Sequence, residues 1–227
     1  MLPQQQMKST ILRLVKMNKR NFQKEMDSII EQNQKDGITP SLLLHSCCAP
    51  CSSYVLEYLS KYFKITVLYY NPNISPQEEY IHRLKEEKRL ISEMSFENPV
   101  SIIDCSYDSQ EFFSCAKGFE KEPEGGKRCE KCFDLRLSYT AKTAKEKGFD
   151  YFATTLTISP LKNAQLINEI GESLGEKFKV KYLCSDFKKK EGYKRSIILS
   201  KEYNLYRQNY CGCIFSKAES EKTPLHS

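Results

Sequence analysis

The sequence predicts an α/β fold: a parallel β-sheet covered by helices on both faces, with a helical extension at the N-terminus. Three observations carry this. Short runs rich in β-branched and aromatic residues alternate with longer stretches of helical periodicity, the pattern of strand–helix–strand units. The stretch from Ser41 to Leu44, before the first cysteines, is a short apolar run built on three successive leucines, as suits a buried parallel strand. The chain has 227 residues, enough for one sizeable domain and short for two.

Residues 1–40 are polar and mostly helix-compatible. Ile11, Leu14 and Val15, then Met26, Ile29 and Ile30, fall at helical spacing, and Asp36-Gly37 with Pro40 break the helix. This extension is expected to pack on the domain, which spans residues 41–216. The first strand leads to the cysteine-rich turn and a helix over 51–62, with Pro50 in its first turn. Residues 64–70 (KITVLYY) are a second strand. Asn71-Pro72-Asn73 is a turn, and Ser75-Pro76-Gln77-Glu78 opens a helix that runs to about Met94. A strand over Val100–Asp104, a helix over Ser109–Ala116 and a Gly/Glu/Lys-rich loop over 118–127 follow. A long helix over 128–147 stops at Gly148. Strands over 151–155 and 179–183 flank a helix over 160–174. A basic helical region, 188–203, leads to the last cysteines, and 217–227 reads as a loose tail.

Hydrophobic residues make up 40% and charged residues 28%, which excludes a disordered chain. No apolar run approaches the roughly 20 residues of a membrane span, and the N-terminus lacks the apolar core of a signal peptide. A cytoplasmic protein with no membrane partner is therefore expected. The net charge of +6 leans toward a nucleic-acid partner but equally serves solubility.

The ten cysteines are the strongest signal. A reducing cytosol disfavours a disulfide framework, so metal binding or redox chemistry is the expected use. Cys47, Cys48 and Cys51 cluster between the first strand and its helix. Ligands of open α/β sheets bind beyond the carboxyl ends of strands, and a helix N-terminus favours thiolate. Cys129-Glu130-Lys131-Cys132 is a C-x-x-C at a helix start, open to a zinc knuckle, a redox pair or half of a cluster site. Together with Cys47 and Cys48 it completes four thiolates, which suit structural zinc or a [4Fe–4S] cluster. Cys211-Gly212-Cys213 is a C-x-C. Gly212 permits the bend that would let the two sulfurs approach, and so small a ring would make a strained, easily reduced disulfide. Cys105, Cys115 and Cys184 stand alone and suit burial as small apolar residues.

Two further stretches could contact a nucleic acid. Lys188, Lys189, Lys190, Lys194 and Arg195 are interleaved with Phe187 and Tyr193, as in a phosphate-contacting patch, although a solvated helix face is the usual origin of such a run. Tyr206 and Arg207, just before the C-x-C, could stack on a nucleotide or serve ordinary surface packing.

These motifs resemble one family. His45-Ser46-Cys47-Cys48-Ala49-Pro50-Cys51, Cys129 and Cys132 followed by Phe133-Asp134-Leu135-Arg136-Leu137, Thr154-Thr155-Leu156 with Ser159-Pro160, residues 186–196 and residues 206–216 look like the QueH family of epoxyqueuosine reductases. The resemblance runs from about Leu42 to Ser216, with the motifs in order. It implies a Rossmann-like fold of the HUP, or adenine nucleotide alpha hydrolase-like, group. It implies cobalamin-independent reduction of epoxyqueuosine to queuosine in tRNA, the last step of that modification. It implies a [4Fe–4S] cluster on Cys47, Cys48, Cys129 and Cys132 and a redox-active pair at Cys211 and Cys213. The tRNA would be that for asparagine, aspartate, histidine or tyrosine, and an external electron donor would be needed. The family also implies a further iron beside the cluster. Cys51, one helical turn past Cys47 and Cys48, is the candidate ligand, at a place where some members carry an acid.

Removing an epoxide oxygen to leave an alkene takes two electrons and two protons, and one cluster moves one electron at a time. The cluster with an adjacent iron, or with the Cys211/Cys213 dithiol, would supply the pair. Two other functions compete. A structural-zinc RNA-binding module needs only four thiolates and a basic face, but leaves Cys51 and the C-x-C without a use. A tRNA sulfur-transfer enzyme of the same fold would need a phosphate-binding loop, and thiols fill that place here.

Overall fold

Successive residues of the first strand point to opposite faces of a sheet, and both faces are buried. The computed structural model describes residues 20–222. β1 (Ser41–His45), β2 (Lys64–Tyr69), β3 (Val100–Asp104), β4 (Tyr151–Thr154) and β5 (Lys181–Tyr182) form one sheet in the order β3-β2-β1-β4-β5. Every pairing is parallel. Around it lie α1 (Phe22–Lys35), α2 (Ala49–Leu59), α3 (Gln77–Glu93), α4 (Ser109–Ala116), α5 (Lys127–Lys147), a 3₁₀ turn (Thr155–Ile158), α6 (Ala164–Phe178), α7 (Gly192–Glu202) and α8 (Ile214–Lys222).

Leu42 and Leu44 face one core with Met26 and Ile30 of α1 and Val55, Leu56 and Leu59 of α2. Leu43 faces the other with Phe133, Leu137, Ala141 and Ala144 of α5 and Ile167 and Leu174 of α6. Each buried leucine contributes roughly 1.5–3 kcal/mol by area removed from water. Such burial on both sides is why β1 reads as an unbroken apolar run rather than an alternating one. The expected α/β class with helices on both faces is thus the observed one. No helix among the described residues is long and apolar enough to cross a membrane.

Several expected boundaries shift for local reasons. The helix after β1 begins at Ala49, because Cys48 takes the extended N-cap conformation and the Cys51 N–H already donates to the Cys48 carbonyl. Residues 155–158 wind as a 3₁₀ turn, and Asn163 caps α6 by accepting from Leu166 N, so that helix starts later than expected and ends at Phe178. Lys179, at φ +57°, then terminates α6 and shortens β5 to two residues. α5 ends as expected at Gly148, whose φ of +71° lets its N–H close on the Ala144 and Lys145 carbonyls. The stretch 217–222, expected as part of a loose tail, instead continues α8. Of the N-terminal apolar residues, Met26 and Ile30 pack into the core, while Ile11, Leu14 and Val15 lie outside the described residues.

The chain leaves β1 for β2 and β3 on one side and returns to β4 on the other. The crevice beyond the carboxyl ends of β1 and β4 is therefore the topological switch point, where open α/β sheets hold ligands. His45 and Thr154, the last residues of these strands, are register partners.

Candidate metal centre

His45 pegs the mouth of the sheet. Its Nε2 lies 3.2 Å from the Tyr70 carbonyl, which can only accept, so Nε2 carries the hydrogen. Nδ1 then accepts from the Thr154 hydroxyl at 2.9 Å, and that hydroxyl accepts in turn from Leu156 N. Burial, helped by the charge of Arg136, lowers the His45 pKa to about 3, so the ring is neutral.

Cys47, Cys48 and Cys51 follow at the first turn of α2. Their sulfurs lie within 4.8 Å of one another, with 3.9 Å between those of Cys47 and Cys48. Hydrogen bonds from the Cys48 and Cys51 thiols hold Cys47 well below the usual thiol range, against the effect of burial, and Lys162 and Thr155 add to them. Cys48 and Cys51 are correspondingly raised. Two thiols around one thiolate form a ready set of three soft ligands.

Under the same loop lies Glu87 of α3, fully buried. Neither of its carboxylate oxygens has a hydrogen-bond partner. The neighbouring Ser46 and Ser52 hydroxyls bond each other at 2.6 Å, and Ser52 also donates to the Cys48 carbonyl. Burial raises Glu87 to about 7.

The remaining chemistry-bearing cysteines gather beside this group. Cys129 and Cys132 occupy the first turns of α5, Cys211 and Cys213 the turn before α8, and all line one narrow hollow with Phe112 and Arg136. Gly212, at φ +116°, makes the turn, and the space a Cβ would take there is closed by Ile74 and Arg83. Cys211 N donates to Ser216 Oγ at 3.0 Å, and Ser216 Oγ donates to Glu124 at 2.7 Å, tying the turn to the loop before α5. Burial raises Cys129, pushes Cys132 up to about 12 and Cys213 up to about 11. All ten cysteines are free thiols. Cys129 and Cys132 fall outside the 4.8 Å group formed by Cys47, Cys48 and Cys51 among the described residues. Cys211 lines both the hollow and the larger cavity over Cys47, Cys48 and Cys51.

That cavity measures about 280 Å³ and presents Arg83, Lys162, Arg207 and Tyr210 above the three thiols. Burial opposes the charge on Lys162, but the thiols of Cys211, Cys47 and Cys51 outweigh it and raise its pKa. Arg83, only 2% exposed, donates to Glu79 at 2.7 Å and to the Cys211 carbonyl at 3.4 Å. Arg136 is 1% exposed, and its Nη2 has no partner. The donor set and these buried cations fit an anionic, thiolate-held metal centre. Sequence reasoning gave no role to Lys162, Arg83 or Arg136. Lys162 and Arg136 sit in or beside motifs that could have flagged them; Arg83 carries no such signal.

The expected nucleic-acid contacts are largely engaged within the protein. Lys188 pairs with Asp186 at 2.5 Å, Lys190 with Asp27 at 2.8 Å, Lys194 with Glu191, and Arg195 with Glu57 at 2.6 Å and Glu202 at 3.1 Å. Tyr206 OH donates to Glu79, and Arg207 donates to Ser200 Oγ at 3.0 Å. Lys189 is the one of these residues whose side chain has no partner among the described residues. Surface ion pairs are weak, about 0–1 kcal/mol, so a phosphate could displace them.

The chain is similar to several known proteins. A family model described as epoxyqueuosine reductase QueH matches residues 42–219. The chain is 47% identical over 210 residues to "Epoxyqueuosine reductase QueH" of Staphylococcus epidermidis, covering 91% of this chain and 88% of that one. It is 46% identical over 198 residues to the protein of the same name from Streptococcus pyogenes, covering 86% and 78%. The Thermotoga maritima protein of that name is 36% identical over 185 residues, covering 79% and 91%. Among solved structures, the U34-tRNA thiolase NcsA from Methanococcus maripaludis with its [4Fe-4S] cluster is similar at 13% identity and a TM-score of 0.47, covering 89% and 72%.

Proposed function

We propose a function from one premise: the chain belongs to the QueH family of epoxyqueuosine reductases. It is an oxidoreductase that removes the epoxide oxygen of epoxyqueuosine, leaving the alkene of queuosine. The balance is two electrons and two protons in, and one water out.

Cys47, Cys48, Cys129 and Cys132 would hold a [4Fe–4S] cluster. The observation that carries this assignment is the convergence of three thiols at the switch point with a second cysteine-lined hollow that shares Cys211. Bound there, the cluster would supply single electrons. Cys51, within the same thiol group, is the ligand a neighbouring iron would take. Oxidation of Cys211 and Cys213 to a disulfide releases two electrons and two protons, matching the demand of one epoxide. An external donor would then restore the dithiol.

The modified base of a tRNA for asparagine, aspartate, histidine or tyrosine would enter the cavity of about 280 Å³. Lys162, held cationic by the surrounding thiols, would donate a hydrogen bond to the departing oxygen. Arg207 and Tyr210 at the cavity wall would hold the base, and Lys189 with its basic neighbours the tRNA backbone. A tRNA substrate supports a cytoplasmic location.

The test is anaerobic reconstitution, iron and sulfide analysis, and incubation with epoxyqueuosine-containing tRNA and a reductant, read by nucleoside mass spectrometry. Brown protein that forms queuosine is expected. Colourless protein with one zinc and unchanged tRNA would refute the reading. A Cys211→Ser, Cys213→Ser variant with the wild-type rate over many turnovers would refute the dithiol role.

A further inference from the structure

Among the described residues three arginines are buried, and one of them differs from the others. Arg83 pairs with Glu79 at 2.7 Å, and Arg128 reaches Glu219 at 3.3 Å. Arg136 has no carboxylate partner among the described residues. Its Nε donates to the Cys132 carbonyl at 3.2 Å, one turn back on α5, and its Nη2 has no partner. Its guanidinium lies 5.7 Å from the Phe133 ring centroid, which adds weak cation–π attraction but no counter-charge.

A buried cation with no counter-ion is strongly disfavoured, so a compensating negative charge must be close. What surrounds Arg136 is sulfur. Burial opposes its charge, and Cys132, Cys211, Cys47 and Cys129, in that order, support it. Three of those four are the proposed cluster ligands, and they come from both the β1 turn and the start of α5. Arg136 lines the narrow hollow with Cys129 and Cys132 and does not line the larger cavity. It therefore sits on the cysteine side of the site, away from where the base would bind.

We infer that Arg136 is a positioning residue whose fixed charge raises the reduction potential of the cluster held by the surrounding cysteines. This rests on the cluster assignment above. A tetrathiolate [4Fe–4S] centre is anionic and gains a further negative charge on reduction. A permanent cation in a low-dielectric surround stabilises the more negative state more. Arginine suits the task because it keeps its proton where a buried lysine can lose it.

The experiment compares wild type, Arg136→Met and Arg136→Lys as reconstituted full-length protein. Iron and sulfide per chain are measured first, then the midpoint potential, by anaerobic dye-mediated titration followed through the visible absorption of the cluster. Arg136→Met should hold wild-type iron and sulfide but reduce with an equilibrium constant at least about tenfold lower, 59 mV more negative for a one-electron couple. Arg136→Lys should stay within about threefold of wild type, since the charge is kept. Loss of the cluster from the Met variant alone would also support the cation. A Met variant at the wild-type potential, a Lys variant that shares the Met shift, or loss of the cluster from both would overturn the inference. Wild type that takes up no iron or sulfide would instead overturn the cluster assignment beneath it.

Discussion

Replacing Glu87 by Gln should stabilise the metal-free chain at neutral and alkaline pH while leaving it nearly unchanged in mild acid. Glu87 is fully buried on α3 beneath the cysteine turn, with no partner for either carboxylate oxygen. Burial lifts its pKa from 4.5 to about 7. A carboxyl raised in the folded state favours folding while protonated. That contribution is whole below pH 4.5 and is lost as pH rises through about 7. At 1.36 kcal/mol per pKa unit, the full loss is on the order of 3 kcal/mol. Gln keeps the shape and cannot ionise, so the variant should lack that fall. The assay is urea unfolding with chelator and reductant at steps from about pH 4 to 8.5, read as variant minus wild type. Titrations common to both chains, that of His45 included, cancel in the difference. The gap should open across the window between 4.5 and 7 and stay open above it. A difference flat across pH would show that the carboxyl ionises at no cost, and the burial argument would fail.

Two other outcomes follow from the same geometry. His45 titrates near 3 when folded, so the stability of the neutral ring is present above 6.5 and lost as pH falls toward 3. His45→Gln should flatten that acid slope, measured by circular dichroism, at a cost of about 1 kcal/mol for an altered hydrogen bond; an unchanged slope would assign it elsewhere. Gly212→Ala forces a Cβ at φ +116°, 3.0 Å from Ile74 Cγ1 and 3.1 Å from an Arg83 Nη. It should cost about 1–3 kcal/mol in a urea melt, and a neutral variant would mean that the turn relaxes freely.

Much of the fold is legible along the chain because its causes are local or periodic. Leu42, Leu43 and Leu44 in succession announce a strand covered on both sides, and Gly148 announces the end of α5. The boundaries that escape are set by contacts. Lys179 takes a left-handed conformation that no side-chain preference signals, and 217–222 is helical despite its polar, tail-like composition. In the site, the cysteines are legible because closely spaced cysteines at the mouth of a sheet and at a helix start match metal-ligand spacing. The cations are not. Lys188, Lys190, Lys194 and Arg195 look like free phosphate contacts until Asp186, Asp27, Glu191, Glu57 and Glu202 are seen beside them.

The sequence by itself determined the order of strands and helices, the family, and which sulfurs are available. Only the tertiary structure decided that Cys47, Cys48 and Cys51 share one small space, that Cys211 borders both hollows, that Arg136 and Glu87 stand buried around them, and that Lys162 lines the cavity above. The reason is physical. A side chain's periodicity records how often it faces the interior, whereas its charge state and chemistry depend on what lies across the gap. That neighbour comes from a distant part of the chain and leaves no local mark.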